Sequence, residues 1–300
     1  MATVLITGGS GLIGSALTSA LLDQDHEVRH LTRAHKRVGP IRTFLWDLEK
    51  GTMDREALSG VDHIVHLAGA GIADKRWTAV RVNELIASRT ESARLLLRTA
   101  QEQQVQVKSF TSAAGINYYG AVTAEHIFSE NDVAATDTIG TISRKLEEAV
   151  DEWTSHTRVV KLRTPVVLSP KGGALAKLAA PVRWGLGAAL GNGDQWMPWV
   201  HVDDLVRIYG GAILNERFAG AYNVNTGADV TNEEFMRTAA KVLGRPYFLP
   251  NVPGFLLKAA LGELSSVLLK GSRASNKKLL DTGFTFRHPL LEGALRDLLK

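Results

Sequence analysis

With 300 residues, 45% of them hydrophobic, the chain can bury a large core, in one big domain or in one domain carrying a smaller lobe. No apolar run approaches the roughly 20 residues of a bilayer crossing, the first strand opens with no room for a signal peptide, and zero cysteines exclude disulfides, thiol catalysis and cysteine metal sites, which fits a cytoplasmic protein with no membrane partner. A net charge of +4 without a basic run interleaved with aromatics suits anionic small molecules rather than nucleic acid, and nine scattered histidines without ligand spacing give no metal to expect.

Val4 to Thr7 is an apolar run of strand length that breaks at Gly8-Gly9-Ser10-Gly11. It passes directly into an amphipathic pattern with Ile13, Ala16, Leu17, Ala20 and Leu21 on one helical face. Glycines permit positive φ and leave no Cβ between the peptide and a bound group, while the first helical N–H groups and the positive dipole end face an anion. The backbone of Gly8, Ser10, Gly11, Leu12 and Ile13 is therefore expected to cradle a diphosphate, with Gly14 letting the helix lie close on the sheet.

Glu27 to Thr32 reads as a second strand, followed by Arg33, Lys36 and Arg37. An acidic residue at this strand end would accept from the 2′-OH of NAD; a guanidinium instead grips a 2′-phosphate through charge-assisted hydrogen bonds. NADP(H) is therefore predicted over NAD(H), the alternative being that these cations form a solvated basic loop. Phe44 to Asp47 looks like a third strand, with Asp47 placed to accept from an adenine amino group and Leu48 to lie against the ring, unless both belong to a plain loop. His63 to Ala68 runs into Gly69, Ala70 and Gly71, small residues at a strand end where Leu67, Ala68 and Gly69 should touch a cofactor and where His63 and His66 read as packed strand residues.

A helix over roughly Thr78 to Gln104 offers Glu84, Ser88 and Arg89 to the cofactor side, and Val107 to Ser112 is the next strand. Ile139 to Trp153 reads as a helix and Arg158 to Arg163 as a strand, so the alternation implies a Rossmann-type α/β fold, a doubly wound parallel sheet. Beyond Pro165 the alternation fails. Lys171 to Gly193 has the glycine and alanine content of a segment that lines a site or lid, and Asp203 and Asp204 read as an N-cap for a helix from Leu205. Tyr222 to Val224 looks like one more strand, Thr231 opens a capped helix that Gly244-Arg245-Pro246 stops, and helices are expected around Phe255 to Leu269, Asn276 to Asp281 and Leu290 to Leu299. The expected division is a dinucleotide domain over 1–165, completed by a strand near 221–225, and a smaller mixed α/β lobe over 166–300 that includes a C-terminal extension of about 248–300.

Thr7-Gly8, Gly11 and Gly14 together resemble the Thr-Gly-x-x-Gly-x-x-Gly turn of the extended short-chain dehydrogenase/reductase (SDR) superfamily. The stretch Gly191 to Leu205, with Ile86-Ala87-Ser88-Arg89, Tyr118-Tyr119-Gly120, Leu243-Gly244-Arg245-Pro246 and Lys278 to Phe284, narrows this to the atypical SDR group of epimerase family proteins, the SDR39U1-like or YfcH-like group, over essentially the whole chain. The resemblance implies an NADP-binding extended SDR fold. Carried over residue by residue, it implies cofactor contacts from Thr32, Arg33, Leu67, Ala68, Glu84, Arg89 and Val166, and it permits a homodimer through the helices near 78–104 and 139–153.

SDR enzymes that move a hydride use a Tyr-x-x-x-Lys pair, in which the lysine lowers the phenol's pKa so that it exchanges a proton with substrate near neutral pH. Here, if Lys145 is the lysine, the tyrosine position holds Thr141; slid by two, the pair becomes Ile139 and Ser143. Neither register supplies a phenol. Ser112 and Tyr119 remain the candidate catalytic hydroxyls, while the place of a second serine falls on Ala114; the alternative for Tyr118 and Tyr119 is a buried ring with its hydroxyl on a backbone carbonyl. Gln195, Trp196 and His201 are candidates to bind a flat or sugar-like substrate, and Trp199 reads as core. Two functions stay open: an NADP(H)-dependent oxidoreductase or epimerase-like enzyme on a small, sugar-derived compound, and a catalytically silent NADP-binding protein with a regulatory or interaction role.

Overall fold

The computed structural model describes residues 1–34 and 41–300. The opening run forms β1 (Thr3–Thr7), and α1 (Leu12–Leu22) follows across the glycine turn. Next come β2 (Glu27–Thr32), β3 (Arg42–Asp47), β4 (Thr52–Met53), β5 (His63–His66), α2 (Ala79–Glu102), β6 (Ser109–Gly115), β7 (Ile127–Phe128), α3 (Thr138–Asp151) and β8 (Arg158–Thr164). The second half contains β9 (Val166–Leu168), α4 (Gly173–Arg183), β10 (Trp199–His201), α5 (Val202–Leu214), β11 (Gly220–Asn223) and α6 (Asn232–Leu243). It ends with α7 (Gly254–Leu261), α8 (Ser265–Leu269), β12 (Arg273–Ala274), α9 (Lys277–Leu280) and α10 (Leu291–Leu299).

The main sheet runs β11-β8-β6-β5-β1-β2-β3-β4, and only β3 with β4 pairs antiparallel. The chain lays β2 and β3 on one side of β1, then returns to lay β5 on the other. The reversal brings Thr7 level with His66, and a switch point of this kind leaves a crevice beyond the carboxyl ends of the strands.

Burial on both faces explains the continuous apolar reading of β1. Val4 and Ile6 enter a core with Leu17 and Leu21 of α1 and Leu205 and Ile208 of α5, whereas Leu5 enters the opposite core with Leu95 and Leu96 of α2 and Leu146 of α3. A third core, with Leu175, Val182, Phe235 and Leu295, joins α4, α6 and α10 into the smaller lobe; Trp199 is buried in it. As expected for the strand near 221–225, β11 returns to pair with β8; α5, which also follows Pro165, packs on the α1 face of the same sheet.

The cap expected at Asp203 and Asp204 is displaced. Helix α5 starts at Val202, and the His201 Nδ1 accepts from the Asp203 N–H at 3.1 Å; both aspartates fall in the first turn, where they favour the dipole. An imidazole nitrogen caps as a carboxylate would, and residue-type preferences point past it to the acids.

Candidate functional site

The turn after β1 is built from backbone. Gly8 takes φ +69°, and the Gly11 N–H donates to the Gly8 carbonyl at 3.0 Å. A Cβ on Gly14 would sit 2.4 Å from that same oxygen, and one on Gly9 would sit 2.4 Å from the His30 ring. Gly14 thus lets α1 close on the turn itself rather than on the sheet. Gly11 caps α1 without a side chain, and no acid stands in the first turn, so the N–H groups near Leu12 and Ile13 keep their capacity for an anion. Gly173, at the start of α4, faces Leu12 across the turn, its Cβ position 3.2 Å from Leu12 Cδ2.

A buried polar chain fixes the floor. Thr7 Oγ1 accepts the N–H groups of Leu67 and Ala68 at 3.1 Å each, so its own proton goes to His66 Nδ1 at 2.9 Å. That assigns the His66 proton to Nε2, which donates to Ser92 Oγ of α2 at 3.1 Å. Burial holds this imidazole neutral, its pKa pushed down to about 4, and buried His63, bonded to Ser109 Oγ at 2.8 Å, is pushed to a similar value. Both histidines are packed strand residues, as expected of their place in the apolar strand. The chain ties β1, β5 and α2 at the switch point, a role the sequence does not reveal because its members are 85 residues apart at the extremes.

Arg89 is half-buried against Gly69, where a Cβ would lie 2.9 Å from its Cζ. One guanidinium nitrogen donates to the Leu85 carbonyl at 3.0 Å, and no carboxylate pairs with it among the described residues. Burial lowers its pKa to about 10, which still leaves a cation at neutral pH facing the end of β5. Glu84 is exposed and paired at 2.8 Å with Arg81, whose other nitrogen holds the Gly71 carbonyl at 2.6 Å. Val166 opens β9, its N–H on the Pro198 carbonyl at 3.1 Å.

At the adenosine end, Thr32 Oγ1 donates to the Ala34 carbonyl at 2.9 Å, and Arg33 is exposed beside it. Lys36 and Arg37 lie outside the described residues. The Asp47 carboxylate accepts the N–H groups of Glu49 and Lys50 at 3.0 Å each, which holds its pKa below the usual range; one oxygen is therefore committed to a local turn, and Leu48 packs on the core beside it. An adenine amino group would meet only the remaining oxygen, which lies 3.4 Å from Lys50.

The register of α3 is now readable. Thr141 is half-exposed, and Lys145 points to solvent, paired with Glu148 at 3.1 Å. Ile139 and Ser143 face inward and are buried: Ser143 Oγ lies 3.7 Å from the Cβ position of Gly115 at the end of β6, and Ile139 packs with Trp77, Leu85 and Leu264. The inward pair is thus an isoleucine and a serine. Ser112 is fully buried, its hydroxyl on the Ala113 carbonyl at 3.3 Å. Tyr119 is 1% exposed and does not reach into the crevice. Its hydroxyl makes 2.8 Å contacts to the Ser129 carbonyl and Asn223 Oδ1, and accepts from Arg163 at 2.8 Å. Arg163 is itself clamped to Glu147 of α3 at 2.8 Å and stacked on Tyr118 at 3.6 Å. Burial pushes the Tyr119 phenol up to about 12, so Tyr119 adopts the buried, carbonyl-bonded alternative, while Tyr118 is half-buried with its ring under Arg163.

Gln195, Trp196 and His201 are not brought together. Gln195 Nε2 donates to the carbonyls of Leu190 and Leu268, and the Trp196 indole donates to the Ala124 carbonyl at 3.1 Å, its face against Arg273. Both tie the C-terminal extension to the body of the protein. His201 is buried at the start of α5, stacked on His288 at 3.7 Å with Nε2 3.2 Å from Asp297. Gln195 and Trp196 lie on the segment before β10 while His201 closes the strand, a separation that a linear motif conceals.

Residues 4–225 match the NAD dependent epimerase/dehydratase family, and residues 252–298 match a domain of unknown function, DUF1731. An epimerase family protein of Mycobacterium bovis is 37% identical over 296 residues, covering 98% of this chain and 96% of its own. The structure of human epimerase family protein SDR39U1 (isoform 2) with NADPH superposes with a TM-score of 0.88 at 30% identity, covering 99% of this chain and 98% of that one. A nucleoside-diphosphate sugar epimerase from Corynebacterium glutamicum gives 0.79 at 28% identity, covering 99% of this chain and 58% of the other.

Proposed function

The chain belongs to the NAD dependent epimerase/dehydratase family, and from that premise we propose that it binds NADP(H) across the crevice at the β1–β5 switch point, without a tyrosine-based proton relay. The observation that carries the reading is the glycine-rich turn at Gly8 to Gly14, where a Cβ on Gly9 or Gly14 would meet neighbouring atoms at 2.4 Å. Such a turn fits a diphosphate held by backbone N–H groups. The NADPH in the similar human structure supports the same assignment.

In this reading Arg33 takes the 2′-phosphate, and Arg89, Leu67, Ala68 and Val166 border the nicotinamide half. Bound NADP(H) would supply or accept a hydride there. The described residues there offer no phenol to exchange a proton. Ile139 and Ser143 occupy the inward face of α3, and the Tyr119 hydroxyl is fully bonded and poorly acidic. This favours a catalytically silent, cofactor-occupied protein. The likeness to a nucleoside-diphosphate sugar epimerase sustains the second reading, an oxidoreductase or epimerase acting on a sugar-derived compound.

Calorimetric titration with NADPH and NADH tests the cofactor. NADPH should bind about ten- to a hundredfold more tightly, and Arg33→Ala should erase the difference. Equal affinities in the parent protein would remove the NADP(H) assignment. Incubation with NADPH and a panel of carbonyl compounds should leave its absorbance constant; turnover that Tyr119→Phe abolishes would restore the enzyme.

A further inference from the structure

Five large apolar side chains on one rim of the smaller lobe have little over them: Trp184 is 83% exposed, Phe248 74%, Phe255 70%, Leu186 59% and Leu256 50%. They come from adjoining pieces of chain. The segment leaving α4 runs beside the one leading to α7: Gly185 abuts Pro246, the Gly191 N–H donates to the Val252 carbonyl at 2.9 Å, and the Val252 N–H donates to that of Ala189 at 2.8 Å. Helix α7, Gly-Phe-Leu-Leu-Lys-Ala-Ala-Leu, then begins, and none of its residues is buried. What docks is the chain just after it, where Leu264 packs against Trp77, Leu85 and Ile139. An apolar helix is thus held at the surface by its flanks.

The two segments that carry these side chains bear only positive charges, the bordering acids being Asp194, Glu233, which takes the Tyr247 hydroxyl at 2.9 Å, and Glu263 after α7. Residues 171–193 contain Lys171, Lys177 and Arg183 and no acid; residues 244–262 contain Arg245 and Lys258 and no acid. All five cations are exposed, and none has a carboxylate partner among the described residues. Aromatic and aliphatic tips among solvated cations complement a bilayer interface with anionic headgroups, where rings enter the headgroup layer and Lys or Arg pair with phosphates. We propose that this rim docks on an anionic lipid surface. Trp184, Phe248 and Phe255 enter the interface, and Arg183, Arg245 and Lys258 pair with headgroups. Lying on a bilayer requires no spanning segment, and no helix among the described residues is long and apolar enough to cross one.

The test is co-sedimentation of the full chain with vesicles of phosphatidylcholine alone and of phosphatidylcholine with an equal share of phosphatidylglycerol. The bound fraction should rise about fivefold or more with the anionic vesicles and fall at high salt. Phe248→Ser with Phe255→Ser, and separately Arg183→Glu with Lys258→Glu, should each remove most of the gain while leaving the melting temperature unchanged. Tryptophan emission should shift to the blue on anionic vesicles and stop doing so in Trp184→Phe. Equal partition onto neutral and anionic vesicles, or no partition at all, would overturn the proposal. So would a vesicle-free dimer broken by the same substitutions, which would assign the rim to a second copy of the chain.

Discussion

Gly14→Ala is the smallest change that should deprive the turn of its ligand. The new Cβ would lie 2.4 Å from the Gly8 oxygen and 2.7 Å from the Gly9 Cα, both backbone atoms that no rotamer change can move aside. Reaching even 3.0 Å takes roughly 0.6 Å of backbone retreat. The turn is held by its own Gly11-to-Gly8 hydrogen bond and by His30 beneath Gly9, so the retreat displaces the N–H groups aimed at the diphosphate. A charge-assisted hydrogen bond contributes about 1.5–3 kcal/mol, and losing one or two raises the Kd for NADPH about tenfold to about twenty-thousandfold. The clash costs the apo protein about 1–3 kcal/mol, offset in part by alanine's helix preference of up to about 1 kcal/mol, so its melting temperature should fall by less than about 8 °C. Calorimetry on the folded variant reads the affinity, with Gly210→Ala as control: Gly210 lies inside α5 with nothing within 4 Å of its Cβ position, and binding should not change. A Gly14→Ala protein that binds NADPH as the parent does would refute the argument.

Tyr119→Phe strands Arg163 and Asn223 partners in the interior, so it should destabilise the protein by about 1–3 kcal/mol while moving the NADPH Kd less than about threefold; a large loss of affinity with intact stability would place the phenol in the site after all. Lys145→Met removes only a solvent-exposed pair with Glu148, worth less than about 1 kcal/mol, and should leave NADPH binding untouched; a tenfold loss would mean that the Thr141–Lys145 face meets the cofactor. For His66, the folded pKa of about 4 lies below the ordinary 6.5. The unfolded chain therefore takes up the proton first, and its contribution, full above about pH 6.5, is lost progressively as pH falls toward 4. The gap between urea midpoints at pH 7.5 and 5 should narrow in His66→Asn, which keeps a donor and an acceptor, while His63 retains its own share; an unaltered pH dependence would contradict the buried neutral imidazole.

Much of the fold is legible in the sequence because the parallel strands are buried on both faces and the helices between them carry one apolar stripe. Val4 to Ile6, His63 to His66 and Arg158 to Arg163 read as strands for that reason. The glycine turn is legible too, since Gly8 and Gly14 answer local demands of φ and contact. Long-range commitments are hidden. Nothing near Tyr119 in sequence announces that Asn223 and Arg163 will take its hydroxyl. Gln195 and Trp196 look like a ligand-binding pair until Leu268 and Ala124 prove to hold them. The α3 register is ambiguous in the sequence because Thr141–Lys145 and Ile139–Ser143 both keep the four-residue spacing; only packing against β6 separates them.

The most direct test of the central claim is a crystal structure of the protein soaked with NADPH. The expected density places the diphosphate against the N–H groups of Ser10 to Ile13, the adenosine 2′-phosphate at Arg33 and the nicotinamide beyond Ala68. Density for the dinucleotide elsewhere, or a bare turn at saturating NADPH, would contradict the account.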